Sequence, residues 1–337
     1  MHSLLDPAIL FFIFGILAGL LKSNLEIPPA ISRFLSLYLL MALGLKGGFA
    51  LAQSGLTGQV AQGLGLALGL AVVVPWVSYT VLRRFLGGFD AAALAATYGS
   101  VSAVTFITAV GHLENQGVAY GGHMAAAMAL MESPAIILAV LLANAARQQA
   151  TAPVQASTSG AGVWVGGGAP HSGGFSIGKV LHESFTDGAQ LLLLGSMLVG
   201  LLTGDAGKAA MQPFSGDLFK GMLAFFLLDM GLTTAKNFPN LKGQSPWLMA
   251  YATLGPLIHS GIALMVALAL QLSLGDSFLL MVLAASASYI AVPAALKLAI
   301  PEASPTLYLG LSLGLTFPLN IILGIPFYFQ IAQKYVA

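Results

Sequence analysis

The chain consists of two halves that repeat each other, and each half contains five apolar segments. LDPAILFFIFGILAGLLKS from Leu5 aligns with TDGAQLLLLGSMLVGLLTG from Thr186, and MESPAIIL aligns with LTFPLNII, which places Pro134 on Pro318. The offset between matched residues stays between 181 and 187 along the alignment. Chance pairing of apolar residues would not preserve such a narrow offset, so the pattern indicates an internal repeat.

The apolar segments are long enough to cross a bilayer, which takes about 20 residues per helix. Only 7% of the residues are charged, against about 25% in soluble domains. We therefore predict an all-α polytopic membrane protein with ten transmembrane helices. The net charge of +1 does not suggest a nucleic-acid partner, and a chain without Cys has no disulfide or Cys-ligated metal site. The predicted spans are 7–22, 30–51, 58–83, 90–110, 119–145, 183–203, 213–235, 246–271, 276–299 and 304–333.

A segment rich in Gly, Ser, Thr and Pro separates the halves, and it reads TAPVQASTSGAGVWVGGGAPHSGG. Such a composition is typical of a flexible linker. We predict a first five-helix repeat over 1–145, a linker over 146–182 and a second repeat over 183–337. Because five is odd, the second repeat must enter the membrane from the opposite face, and inverted repeats are an architecture of secondary transporters.

Lys and Arg residues predict the orientation, because basic residues favour the cytoplasmic side of a membrane. Nine of them share one predicted face and four share the other. The nine-residue face and the linker are therefore predicted to be cytoplasmic, with both termini outside. The nine are Lys22, Arg33, Arg83, Arg84, Arg147, Lys179, Lys236, Lys242 and Lys297, and the four are Lys46, Lys208, Lys220 and Lys334.

Two predicted spans, the fourth and the ninth, carry Gly and Ser near their middle, in YGSVSAVTF and ASASYIAV. Serine offers the backbone competing hydrogen bonds, so we predict that both helices are discontinuous. The half-helices that start there would converge with their positive N-terminal ends, an arrangement that binds a small anion. The alternative is close packing of small residues, which we expect for Gly15-xxx-Gly19 and Gly65-xxx-Gly69. The predicted anion-site residues are Gly99, Ser100, Val101, Ser102, Ala103, Val104, Thr105, Phe106, Ser286, Ala287, Ser288, Tyr289, Ile290 and Ala291.

The repeats, the GSVSAVTF and SASYIAVPAA runs, and the MESPA and DMGL segments resemble the sodium-dependent bicarbonate permease family, of the high-affinity sodium–bicarbonate symporter type. The resemblance implies an inner-membrane importer of bicarbonate driven by Na⁺, with a core domain that moves against a scaffold domain by alternating access. It also implies a homotrimer and a PII-like nucleotide-binding regulator at the cytoplasmic face. Where the family pattern has an acidic residue after the second serine run, this chain has Tyr289. Proton coupling or another small anion therefore stays open as an alternative.

Carboxylates inside predicted spans are the candidate ligands of the coupling ion, because intramembrane charge is costly and usually serves a pathway. Glu132 precedes Ser133-Pro134, and Asp229 lies one turn before Thr233. A structural role near the membrane interface, protonated or paired with Lys, is the alternative for Asp229. The predicted sodium-binding residues are Glu132, Asp229, Thr233, Thr316 and Asn320.

One enzyme-like motif occurs in the chain, GLSLG at residues 310–314, which fits the pattern of a hydrolase nucleophile. It lies in an apolar segment with no preceding strand and no placed His and Asp partners. We therefore predict that it serves helix packing and that the chain is not an enzyme, with an intramembrane serine hydrolase as the alternative. His123 and His259 have no ligand spacing and are predicted to be structural.

Overall fold

The computed structural model describes residues 6–55, 57–151 and 188–336. Within these residues the structure is all-helical, with 85% helix and no strands. Seven helical stretches of the described residues are long and apolar enough to cross a membrane, with Gly88–Gln116 counted as one of them. This confirms the predicted class of an all-α membrane protein, in which helices satisfy the backbone hydrogen bonds that lipid cannot.

The helices overlap the spans that apolar length predicted, and several begin at a proline, which suits the first helical turn. The first half contains α1 (Pro7–Leu20), α2 (Pro29–Ser54), α3 (Gly58–Leu82), α4 (Gly88–Gly99), α5 (Ala103–Gln116) and α6 (His123–Thr151). The second half contains α7 (Gly188–Met211), α8 (Phe219–Asn237), α9 (Pro246–Ala269), α10 (Leu274–Ala285), α11 (Ala291–Ala299) and α12 (Pro305–Val336). Two segments of α12, Ser312–Thr316 and Asn320–Gly324, have π-helical hydrogen bonding.

The predicted linker lies almost entirely outside the described residues. Helix α6 continues to Thr151, so residues 146–151 at the start of that predicted segment are helical. Residues 152–187, which contain the Gly-rich run, are not among those described.

The helices pack in two groups. Helix α1 packs along α8, and α2 packs along α7, and we call these four helices the scaffold group. Helix α3 packs on α4 and α6, α9 packs on α10, and α10 packs on α12. We call α3 to α6 and α9 to α12 the core group, and it contains both of the serine-rich segments.

Glycines bring the backbones of α1 and α8 into contact. A Cβ atom on Gly15 would lie 2.3 Å from the carbonyl oxygen of Leu228, and one on Gly231 would lie 2.2 Å from that of Phe12. Side chains would clash there, so the small residues set this close crossing, as predicted for Gly15.

The same expectation is wrong for Gly65 and Gly69 within the described part of a single chain. A Cβ atom on either residue would meet no heavy atom of those residues within 4 Å. Both glycines lie on α3, and the sequence spacing alone could not show which face of that helix packs on a neighbour.

Candidate functional site

The first serine-rich segment separates α4 from α5. Helix α4 ends at Gly99, Ser100 is extended with φ −94° and ψ −175°, and α5 begins at Ala103. The Ser102 hydroxyl oxygen caps α5 by accepting from the Thr105 N–H at 3.2 Å. A Cβ atom on Gly99 would lie 2.4 Å from Pro75 on α3, so only glycine fits where these helices meet.

The second serine-rich segment separates α10 from α11. Helix α10 ends at Ala285, Ser286 is extended, and α11 begins at Ala291. The Ser288 hydroxyl oxygen accepts from the Val292 N–H at 3.3 Å, which gives an acceptor to an N–H group in the first turn of α11. Most of the predicted anion-site residues here are buried, but Ile290 is 58% exposed.

Two hydrogen bonds join these segments to each other. The Ser102 N–H donates to the Ser286 hydroxyl oxygen at 3.0 Å, and the Ser288 N–H donates to the Thr97 carbonyl at 2.8 Å. Ser286 also donates its own hydroxyl to the Leu283 carbonyl at 2.9 Å. The structure therefore brings together the two segments that the sequence predicted to form one site.

The Ser100 hydroxyl is buried, at 1% residue exposure, and has no hydrogen-bond partner among the described residues. By the repeat, the counterpart of the bond from Ser102 to Ser286 would run from the Ser288 N–H to the Ser100 hydroxyl. The Ser288 N–H instead bonds Thr97, which leaves Ser100 unpaired. A buried polar group without a partner is costly, and such groups often mark a ligand or an ordered water.

Helix α12 stabilises the end of α10. The Asn320 side-chain amide donates to the Ala285 carbonyl at 2.8 Å, and the Tyr328 hydroxyl donates to the Asn320 side-chain oxygen at 3.0 Å. Thr316 donates to the Ala252 carbonyl at 2.7 Å, and its oxygen lies 2.6 Å from the Tyr98 hydroxyl. Two predicted sodium ligands, Thr316 and Asn320, thus lie on the helix that supports the second break.

The predicted carboxylate ligands have partners of their own. Glu132 on α6 accepts a hydrogen bond from the side-chain amide of Gln190 on α7, and Asp229 on α8 accepts one from the hydroxyl of Ser32 on α2. The Thr233 carbonyl accepts from Asn237 at 2.9 Å. The five predicted sodium ligands therefore form hydrogen bonds with different partners. The described residues contain no cluster of three or more His, Asp or Glu residues suited to a metal ion.

Sequence reasoning missed Gln190 and the role of Tyr289. Gln190 is 6% exposed. It aligns with Ile9 of the first half, and this change from an apolar to a polar residue was visible in the sequence. The Tyr289 hydroxyl donates to the Met230 sulfur at 3.5 Å and also interacts with the Ser102 side chain. Tyr289 therefore brings a hydroxyl rather than a carboxylate to the place where the two serine-rich segments meet.

Comparison with known families identifies the chain. Residues 7–333 match the Na⁺-dependent bicarbonate transporter superfamily, which covers nearly the whole chain. The chain belongs to this superfamily. No curated protein matches the chain in sequence. Membership in the bicarbonate transporter superfamily suggests Na⁺-dependent bicarbonate transport, supports Na⁺ as the coupling ion and implies that the chain is not an enzyme.

The GLSLG motif packs within this transporter fold. Ser312 donates its hydroxyl to the Tyr308 carbonyl at 2.6 Å and is fully buried. A Cβ atom on Gly310 would lie 3.1 Å from the Asn240 carbonyl oxygen, and one on Gly314 would lie 3.4 Å from Leu241. These contacts agree with the predicted packing role of the motif.

Proposed function

We propose that the chain imports bicarbonate together with Na⁺ by alternating access, and that the anion binds where the two breaks meet. The observation that carries the proposal is the unpaired Ser100 hydroxyl, buried beside hydrogen bonds that join two interrupted helices. A helix end inside lipid leaves N–H groups that water cannot reach, and each unsatisfied group costs several kcal/mol. A bound anion compensates that cost.

The chemistry of the breaks suits bicarbonate. Helices α5 and α11 both begin there, and the first N–H groups of a helix have no acceptor within it. Together with the positive end of each helix dipole, these groups favour a small anion. The Ser100 hydroxyl can both donate and accept, and bicarbonate offers acceptor oxygens and one O–H donor.

We further propose that the two halves are inverted repeats with discontinuous fourth and ninth spans, and paired contacts between helices support this. Gly15 on α1 contacts Gly231 on α8, and their repeat counterparts Ser196 on α7 and Gly44 on α2 also meet. A Cβ atom on Gly44 would lie 2.8 Å from the Ser196 Cβ atom. A two-fold axis exchanges the members of such contact pairs, which is the relation expected between inverted halves.

Contacts between helix ends support the proposed sidedness. Lys46 pairs with Glu114 at 2.7 Å, and the predicted topology places both residues outside. Arg147 pairs with Glu302 at 2.7 Å, and both belong to the opposite face, which carries the nine basic residues. We propose that this second face is cytoplasmic, that both termini are outside, and that the host membrane is the inner membrane.

For the coupling ion, we propose a site that draws on the oxygens of Glu132, Asp229, Thr233, Thr316 and Asn320. Thr316 and Asn320 contact the breaks directly. The Asn320 amide donates to the last carbonyl of α10, and the Thr316 hydroxyl contacts the hydroxyl of Tyr98, next to the first break. The two carboxylates, each bonded to a neutral donor, supply the negative charge that a cation needs. Backbone carbonyls at the breaks would complete the set of ligands. A homotrimer and a PII-like regulator at the cytoplasmic face remain proposals from the family resemblance.

Uptake of radiolabelled bicarbonate into cells that express the chain, with and without external Na⁺, tests the function directly. The measurement belongs at alkaline pH, where little dissolved CO₂ can diffuse across the membrane. We expect uptake that requires Na⁺ and is absent from cells without the chain. Uptake of equal rate without Na⁺ would refute sodium symport.

Transport driven by protons, or transport of another small anion, is the second candidate, and the observation that favours it is Tyr289. A buried tyrosine stands where an acidic residue would add a negative charge. An imposed proton gradient in the absence of Na⁺ should drive uptake if this candidate is correct. The same assay with competing small oxyanions reports which anion the site prefers.

A further inference from the structure

The last turn of α5 is held by three scaffold helices at once. Asn115 donates to the Asp6 carboxylate at 2.5 Å and accepts from the Lys220 ammonium at 2.5 Å, which links α5 to the starts of α1 and α8. The neighbouring Glu114 pairs with Lys46 of α2 at 2.7 Å. We call these five residues the clasp. Its bonds connect the core group, through α5, to the scaffold group.

A cavity of about 290 Å³ lies directly beneath the clasp, between α1, α5, α8 and α12. Asp6, Asn115 and Lys220 are among its lining residues, and its wall includes Thr108 and His112 of α5. His112 is 5% exposed, and its Nε2 atom has no hydrogen-bond partner among the described residues. The cavity therefore has polar groups at its mouth and an unpaired imidazole nitrogen in its wall.

The cavity follows α5 towards the first break. Thr108, His112 and Asn115 recur at helical spacing, so they share one face of α5. Helix α5 begins at Ala103, and Thr108 is five residues later, which corresponds to about 7.5 Å along the helix axis. The face that lines the cavity thus runs from the clasp at the surface to about 7.5 Å from the start of α5.

We infer that this cavity is the outer access route for the anion and that the clasp is the gate that closes it. The inference rests on the proposed transport function, because it assigns the cavity to the path of the same anion. Lys220 supplies the positive charge that attracts the anion, and its described partner is a neutral amide rather than a carboxylate. The clasp residues are exposed or partly exposed, so water can replace their hydrogen bonds as the core group moves.

Cysteine labelling tests the gate without requiring transport, and the native chain has no cysteine to interfere. Thr108→Cys would be made alone and together with Asn115→Ala, in protein purified into lipid nanodiscs so that a water-soluble maleimide reaches both faces. Asn115→Ala removes the bonds to Asp6 and Lys220. We expect Thr108→Cys to react about tenfold faster in the double variant, the change that follows when closure weakens by about 1.4 kcal/mol.

Two controls separate gating from general loosening. Gln53→Ala removes the bond from Gln53 to Asp205 at 2.6 Å, which is also exposed but joins two scaffold helices, so it should leave the labelling rate of Thr108→Cys unchanged. Ala109→Cys lies on the same helix, is fully buried and does not line the cavity, so Asn115→Ala should not accelerate its labelling.

Equal labelling of Thr108→Cys with and without Asn115→Ala would overturn the gate, and so would equal acceleration at Ala109→Cys. Because the readout is a labelling rate, it is independent of which anion or ion the chain transports. A chain that shows the expected labelling but no uptake of bicarbonate would refute the proposed cargo and retain the gate.

Discussion

Replacing Ser100 by alanine should weaken bicarbonate transport and spare the fold, whereas replacing Ser286 should weaken the fold. The Ser286 hydroxyl accepts from the buried Ser102 N–H at 3.0 Å and donates to the Leu283 carbonyl at 2.9 Å. Alanine at this position leaves the Ser102 N–H without its partner, which costs about 1–3 kcal/mol. The Ser100 hydroxyl has no partner among the described residues, so its removal breaks no described hydrogen bond.

The expected size of the transport effect follows from the charge of the ligand. A hydrogen bond to a charged group contributes about 1.5 kcal/mol or more. Losing one such bond from Ser100 should raise the KM for bicarbonate about tenfold, since 1.4 kcal/mol corresponds to a factor of about ten. Backbone N–H groups at the starts of α5 and α11 would still hold the anion, so we expect weakened rather than abolished uptake.

The assay combines initial rates of radiolabelled bicarbonate uptake with thermal unfolding of the purified protein in the absence of bicarbonate. Ser260→Ala is the matched control, because Ser260 on α9 is also buried at 1% exposure and its hydroxyl also lacks a described partner. It should change neither KM nor unfolding temperature. A wild-type KM in Ser100→Ala, or a loss of stability in Ser100→Ala as large as in Ser286→Ala, would refute the assignment of Ser100 to the anion.

Three further predictions concern the cation, the helix crossings and the topology. Glu132→Gln and Asp229→Asn should raise the Na⁺ concentration for half-maximal uptake, and an unchanged Na⁺ dependence in both would assign these carboxylates to structure. Gly48→Ala should destabilise the protein by about 1–3 kcal/mol, because its Cβ atom would lie 2.1 Å from the Met197 carbonyl oxygen. Gly65→Ala should be tolerated, because its Cβ atom would meet no described heavy atom within 4 Å. The yield of folded protein in detergent, measured for both variants, tests this difference. Thr57→Cys should react with an impermeant reagent outside intact cells, and reaction only after permeabilisation would reverse the proposed orientation.

The helices were predictable because lipid imposes a length and a composition on every span. The span predicted over 246–271 is α9 from Pro246 to Ala269, and the span predicted over 58–83 is α3 from Gly58 to Leu82. Helix ends at the surface were less well predicted: α6 continues to Thr151, beyond the predicted end at 145. Apolar content falls there, but Ala, Arg and Gln favour helix and allow it to continue.

The meeting of the two serine-rich segments was predictable from the repeated serines, but the hydrogen bonds between them were not. Whether the Ser288 N–H bonds the Ser100 hydroxyl or the Thr97 carbonyl depends on how two helices cross, and sequence spacing does not determine that. The same applies to the bond from Ser32 to Asp229, whose residues are 197 positions apart. The partner of Glu132 was easier to predict, because Gln190 is a polar residue where the aligned residue of the first half, Ile9, is apolar.

At three positions the second half has a polar residue where the aligned residue of the first half is apolar. Where one half has an apolar residue and the other a polar one, the polar side chain needs a partner in the apolar interior, because an unpaired polar group there is costly. Each of these side chains contacts another part of the fold, and two of them, Gln190 and Tyr289, reach a residue of the opposite half. If the halves are inverted repeats, as proposed, the repeat accounts for the matched helix crossings and these departures add side-chain bonds between helices. The three positions are Gln190 against Ile9, Tyr289 against Ala103 and Asn320 against Ile136, with partners on Glu132, Ser102 and Ala285.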